Sequence, residues 1–170
     1  MLTVKQTALV NELLSRLSCD EVLLCEPVIK KLLEIGYIPV RHKKSTFVIK
    51  FDKLGRTIAK LEVGHDSKLS FWLRFSASSQ YSKTFQDAVN HRNKAWILRG
   101  QDWQPIDIES CCGLCKGNPQ LYHYVRNDGT SFEGCGGYTK HVHGVTYNDV
   151  PEILQMIKEQ DNYFNEMLDC

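Results

Sequence analysis

Residues 45–76 read STFVIKFDKLGRTIAKLEVGHDSKLSFWLRFS. This stretch decides the fold class, because apolar and polar residues alternate in it with the period of two that a half-buried strand requires. In residues 45–52, Phe47, Ile49 and Phe51 alternate with Val48 and Lys50. In residues 57–63, Thr57, Ala59, Leu61 and Val63 alternate with Ile58, Lys60 and Glu62. Residues 69–76 alternate most clearly: Leu69, Phe71, Leu73 and Phe75 form one face, and Ser70, Trp72, Arg74 and Ser76 the other. The breaks at Lys53-Leu54-Gly55-Arg56 and at Gly64–Lys68 are too short for a crossover, so the runs form an antiparallel meander. Residues 37–41 (YIPVR) add a short strand, and Pro39 assigns it to an edge, where a missing N–H is tolerated.

Helical periods flank the meander. Residues 3–17 repeat Val4, Ala8, Leu9, Leu13, Leu14 and Leu17 at helical spacing. Ser18 and Glu21 form a capping-box pattern ahead of a second helix over 21–35, with Leu23, Leu24, Val28, Leu32 and Ile35 inward. Pro27 implies that this helix starts near Glu26 or kinks there, and Gly36 supplies its stop. Ser82 caps a further helix from Lys83 to about Ile97, with Phe85, Ala88, Val89 and Trp96 on its buried stripe. Asn148 caps a last helix through about Leu168, with Pro151 in its first turn.

These elements predict an α+β protein, an antiparallel β-meander packed with helices, carrying a small Cys-rich, zinc-knuckle-like β-hairpin. Residues 1–110 are expected to form the body, 111–145 the Cys-rich module and 146–170 a helix docking back on the body. With 170 residues, 42% hydrophobic and 24% charged, the composition is that of a globular chain and excludes wholesale disorder. No run approaches the roughly 20 apolar residues of a membrane helix, and Met1–Asn11 lacks a secretory pattern. A cytoplasmic location is therefore expected, with no membrane partner.

The net charge of +1 is unevenly spread: residues 1–110 carry 17 Lys and Arg against 12 Asp and Glu, and residues 111–170 carry 4 against 8. So balanced a chain argues against nucleic acid as the main partner. A second alternative comes from residues 41–60, where Arg41, Lys43, Lys44, Lys50, Lys53, Arg56 and Lys60 face one acid, Asp52, with Phe47 and Phe51 interleaved. Such a basic, aromatic sheet is the material of single-strand binding. Against it, lysines also protect sheet edges, and Phe47 and Phe51 share a face with Ile49.

Seven cysteines stand out in a chain of this size, and their odd number forbids complete intrachain pairing. A reducing compartment further argues against a disulfide framework. Cys19 and Cys25 read as helix filler, and Cys170 is terminal. The other four, Cys111, Cys112, Cys115 and Cys135, lie within 25 residues. Cys112-Gly113-Leu114-Cys115 turns two sulfurs toward one point. Asp128-Gly129, read as a two-residue hairpin loop, places Tyr122 opposite Cys135 at the open base of the hairpin. The pattern resembles half of a zinc ribbon. It predicts a structural zinc on Cys112, Cys115 and Cys135, with Cys111, His141, His143 or His123 as the fourth ligand. Reduced, unliganded thiols are the plain alternative. A redox Cys112–Cys115 pair is another, weakened by Gly117 and Pro119, which do not continue a helix.

Trp72 and Arg74, on one face of the clearest strand, are candidates for lining a ligand pocket. No P-loop, dinucleotide fingerprint, H-E-x-x-H or nucleophile elbow occurs. The expectation is thus a small intracellular, zinc-stabilised binding protein for an unknown small molecule or protein. A thiol-redox or metal-dependent enzyme is the alternative, and nucleic-acid binding through the basic meander is the second.

Overall fold

The computed structural model describes residues 2–66, 68–89, 121–125 and 129–166, with Tyr124 and residues 132–135 described through their backbone alone. The chain opens with helices α1 (Val4–Leu14) and α2 (Cys19–Glu34). Four antiparallel strands follow: β1 (Ile38–His42), β2 (Phe47–Lys53), β3 (Arg56–Val63) and β4 (Leu69–Leu73). Residues 83–89 are helical (α3). A hairpin of β5 (Leu121–Val125) and β6 (Ser131–Cys135) precedes β7 (Lys140–Val142). A 3-10 turn at Tyr147–Asp149 then leads into α4 (Val150–Glu166). The α+β class and the meander read from the sequence are therefore present. The meander gains a fifth strand, because β7 pairs antiparallel with β4 and completes the order β1-β2-β3-β4-β7. The last part of the Cys-rich segment thus belongs to the body sheet.

Local chemistry explains the helix ends. The Ser18 hydroxyl accepts from the Glu21 N–H, while the Glu21 carboxylate accepts from the Ser18 N–H at 3.0 Å, a reciprocal capping box. The helix begins at Cys19 and continues through Pro27, so the proline does not delay its start to Glu26. The cap and the buried stripe of Leu24, Cys25, Val28, Ile29 and Leu32 outweigh the cost of the proline. Gly36, at φ +91°, ends the helix: its N–H donates to the Leu33 carbonyl and the Tyr37 N–H donates to that of Leu32. Asn148, expected to cap the last helix, lies inside the 3-10 turn that precedes α4, and that turn is capped by Thr146 and Asp149; the Asp149 carboxylate accepts from the Thr146 N–H at 2.7 Å. Leu23, read as inward, is instead exposed, as is Val4.

One face of the sheet carries the core. Ile49, Leu61, Phe71 and Val142 form a cross-strand row, with Phe51, Ala59 and Leu73 beside them, all buried. They pack with Leu13, Val28, Leu32, Ile153, Ile157 and Phe164 of the helices in one continuous cluster. Leu54 (φ 51°) and Gly55 (φ 77°) both take positive φ, giving a two-residue turn of the type that matches strand twist. A β-bulge then inserts Ile58, so that Phe51 opposes Ala59 while Asp52 opposes Thr57. Ile58 and Ala59 are both fully buried in the core. Thr57, read as a core position, instead hydrogen-bonds the Asp52 carboxylate at 2.6 Å.

The hairpin register differs from the sequence expectation by one residue. Tyr122 pairs with Gly134 and Leu121 with Cys135, leaving residues 126–130 between the strands rather than a two-residue loop. Tertiary docking decides it. The Tyr122 side chain is fully buried, donates its hydroxyl proton to the Tyr138 carbonyl at 3.0 Å and meets Phe75 edge-on at 4.9 Å.

Candidate functional site

The sheet face opposite the core has different chemistry. Val40, Lys50, Lys60, Trp72 and His141 stand in register, one from each strand, in a row across all five. All five are half-buried. Successive strands lie about 4.8 Å apart, so the row from Lys50 to His141 spans about 14 Å. The next row contains His42, Val48, Glu62 and Ser70. Val48 is fully buried yet lies outside the main core cluster, beneath these longer side chains.

Trp72 and His141 stack face to face, with ring centroids 4.5 Å apart and planes within 10°. His143 lies 3.9 Å beyond, tilted by 55°. The Lys44 ammonium stands 5.6 Å from the Trp72 ring centroid. The Trp72 indole Nε1 and the His42 Nδ1 are buried atoms without a hydrogen-bond partner among the described residues. A cleft of about 170 Å³ adjoins the stack, lined by Glu21, Ser70, His141 and His143.

The cations of this face are unequally neutralised. Lys50 pairs with Asp52, and Lys44 reaches Glu62 at 3.7 Å. Asp52 also accepts from Thr57, and Glu62 from Thr46 at 2.6 Å. Lys60 has no ion pair among the described residues. Burial, then the nearby Lys44 and Lys50 charges, hold the Lys60 ammonium below its ordinary pKa. Burial and the Lys60, Lys44 and Lys50 charges lower the His42 pKa in the same way.

The register divides the basic residues of 41–60. Arg41 leaves this group to cover Phe47, 4.1 Å from its ring centroid, with Arg16 on the same ring at 4.3 Å. Lys53 pairs with Asp161 of α4 at 2.8 Å, and Arg56 donates to the Phe164 carbonyl at 3.0 Å. Phe47 and Phe51 are buried in the core and offer no platform. What remains together is Lys44, Lys50 and Lys60 around Trp72, an aromatic the sequence reading placed with Arg74 instead.

Trp72 and Arg74 do not share a site. β4 ends at Leu73, not at Ser76, so the alternation stops before Arg74. Ile58 lies opposite, and the Arg74 N–H donates to its carbonyl at 2.8 Å. The Arg74 guanidinium lies 4.8 Å from the Phe164 ring centroid, on the α4 side.

Of the sequence-derived metal set, Cys111, Cys112 and Cys115 lie outside the described residues. Cys135 opposes Leu121 rather than Tyr122. His141 is stacked on Trp72, His143 is exposed beside it, and His123 is exposed on β5. Among the described residues, no group of three His, Cys, Asp or Glu converges as a metal site. Cys25 is buried and Cys19 exposed, so the helix-filler reading fits the first and not the second. Among the described residues, no helix is long and apolar enough to cross a membrane. No known family, curated protein or solved structure matches this chain.

Proposed function

We propose that this chain is a non-catalytic binding module that takes an anionic ligand on the sheet face centred on Trp72. The observation that carries the reading is Lys60. It is a half-buried ammonium with no ion pair among the described residues, set between Lys50 and Trp72 and repelled by two further lysines. Holding like charges together on a partly desolvated surface costs folding free energy. A bound anion reverses the sign of that cost, because it pairs with Lys60 and lets Lys44 and Lys50 contribute. The Cys-rich segment serves in this proposal as a zinc-held support, a role that rests on the Cys112, Cys115 and Cys135 spacing.

Isothermal titration with inorganic tripolyphosphate at low ionic strength tests the reading. Saturable binding is expected, weakened at least about tenfold in Lys60→Met, which keeps the aliphatic stem and removes the charge. An absence of binding at millimolar tripolyphosphate, or an unchanged affinity in the variant, would overturn it.

A further inference from the structure

We infer that the anionic ligand is single-stranded nucleic acid, with bases stacking on the Trp72–His141 pair and phosphates held by Lys44, Lys50 and Lys60. The inference rests on the anion-binding reading above and adds the class of ligand. Charge alone would suit any polyanion. The aromatic geometry is what narrows it. An indole and an imidazole already stacked at 4.5 Å and 10° form the start of a stack that a nucleobase continues. An acidic peptide would use the lysines and leave the rings without a partner of their own kind. A duplex would present its phosphates while its bases stayed stacked on one another, out of reach of rings set in a sheet.

The scale also fits. The row from Lys50 to His141 covers about 14 Å, the kind of sheet platform on which two or three bases are read. Lys44 is the least tightly held of the three lysines. It is exposed, lies outside the strands, and its contacts with Glu62 and the Trp72 ring are long, at 3.7 and 5.6 Å. A base settling on that ring face displaces the ammonium, which then turns to the phosphate of the same nucleotide. Lys60 pairs directly. Asp52 and Glu62 remain satisfied by Thr57 and Thr46 when their lysines turn away. With at most three phosphate contacts, the salt dependence is shallow: log K against log salt should fall with a slope no steeper than about −2. That modest electrostatic share agrees with a chain whose net charge is only +1.

Fluorescence anisotropy with a labelled single-stranded 12-mer of mixed sequence tests the inference on the full chain. The same sequence as a duplex and a labelled oligoglutamate serve as comparators. The expected result is single-strand binding at least about tenfold tighter than to either comparator. Trp72→Leu should weaken it about tenfold or more, and Trp72→Phe should restore most of the loss, since a base stacks on either ring. Lys60→Met should make the salt slope shallower by about 0.7. Equal binding of duplex, tighter binding of oligoglutamate, or identical affinities for Trp72→Leu and Trp72→Phe would each overturn it. Tripolyphosphate binding without any single-strand preference would leave the anion-binding reading standing and remove this one. Failure of both ligands would remove the two together.

Discussion

Replacing Pro27 with Ala is expected to stabilise the protein. The residue sits in the interior of α2, nine positions into a helix of 16 residues. A proline there lacks the N–H that would donate to the Leu23 carbonyl, and its ring crowds the preceding turn. In a helix interior, proline is about 3 kcal/mol less favourable than alanine. Two terms reduce the gain. Pro27 is half-buried, on a groove of about 640 Å³ that Leu14 and Leu33 also line. Losing two half-exposed ring methylenes there costs about 0.8 kcal/mol. The backbone has also adjusted to the ring, so part of the propensity difference is not recovered. The net expectation is a gain of about 1–2 kcal/mol. For a chain of this size that raises Tm by about 2–8 °C. Urea denaturation followed by circular dichroism at 222 nm, with m unchanged, measures it directly. A variant no more stable than the parent would mean that the proline ring's packing in the groove outweighs the missing hydrogen bond, against this expectation.

Three other perturbations probe separate parts of the account. Glu21 ties the start of α2 to β4, because its carboxylate accepts from the Leu69 N–H at 2.9 Å as well as from Ser18. Burial raises its pKa, but the Leu69 and Ser18 hydrogen bonds outweigh this and hold it below the ordinary 4.5. Glu21→Gln should therefore cost about 1 kcal/mol at pH 7, and the deficit should vanish as pH falls below 4.5; a pH-independent deficit would contradict this. The buried Cys25 thiol is pushed up to about 12 from 9.0 by burial, then by the Glu21 charge. Its raised pKa contributes stability below pH 9.0 that is lost as pH rises towards 12. Cys25→Ala should lose less stability than the parent across that window, by up to about 1.4 kcal/mol per pH unit, and parallel profiles would count against the buried thiol. Elemental analysis of protein purified without metal resin should find about one zinc per chain, reduced in Cys112→Ser and Cys135→Ser. Less than about 0.2 equivalents would end the zinc expectation.

The meander was legible because Phe47, Ile49 and Phe51, then Ala59, Leu61 and Val63, then Leu69, Phe71 and Leu73, keep the period of two almost without fault. Gly36 and the Ser18–Glu21 pair marked helix ends for reasons of local geometry that a sequence carries in full. The alignment of Lys50 with Lys60 and Trp72 was not legible, and the bulge at Ile58 is the reason. Counted back from the turn between Lys53 and Arg56, Lys50 would oppose Ala59. The inserted residue shifts the pairing so that Lys50 meets Lys60, which the regular β3–β4 register sets opposite Trp72. A bulge leaves little trace in composition; Ile58 beside Ala59, two apolar residues in succession, was the only hint. The hairpin misled for a different reason: Asp128-Gly129 is a strong local turn signal, but docking Tyr122 against Phe75 outweighs it. Local preferences of about a kilocalorie yield to the burial of an aromatic ring.

The assembled face makes one demand that neither composition nor fold class would suggest. A protein of nearly zero net charge gathers three lysines on one side of a tryptophan and a stacked histidine on the other. Amide and indole chemical-shift mapping in a nitrogen–proton correlation spectrum, during titration with a single-stranded 12-mer, tests this most directly. The Trp72 indole resonance and the amides of Lys44, Lys50, Lys60 and His141 are expected to shift together and saturate. Shifts confined to α1 and α2, or a spectrum unchanged at millimolar oligonucleotide, would contradict it.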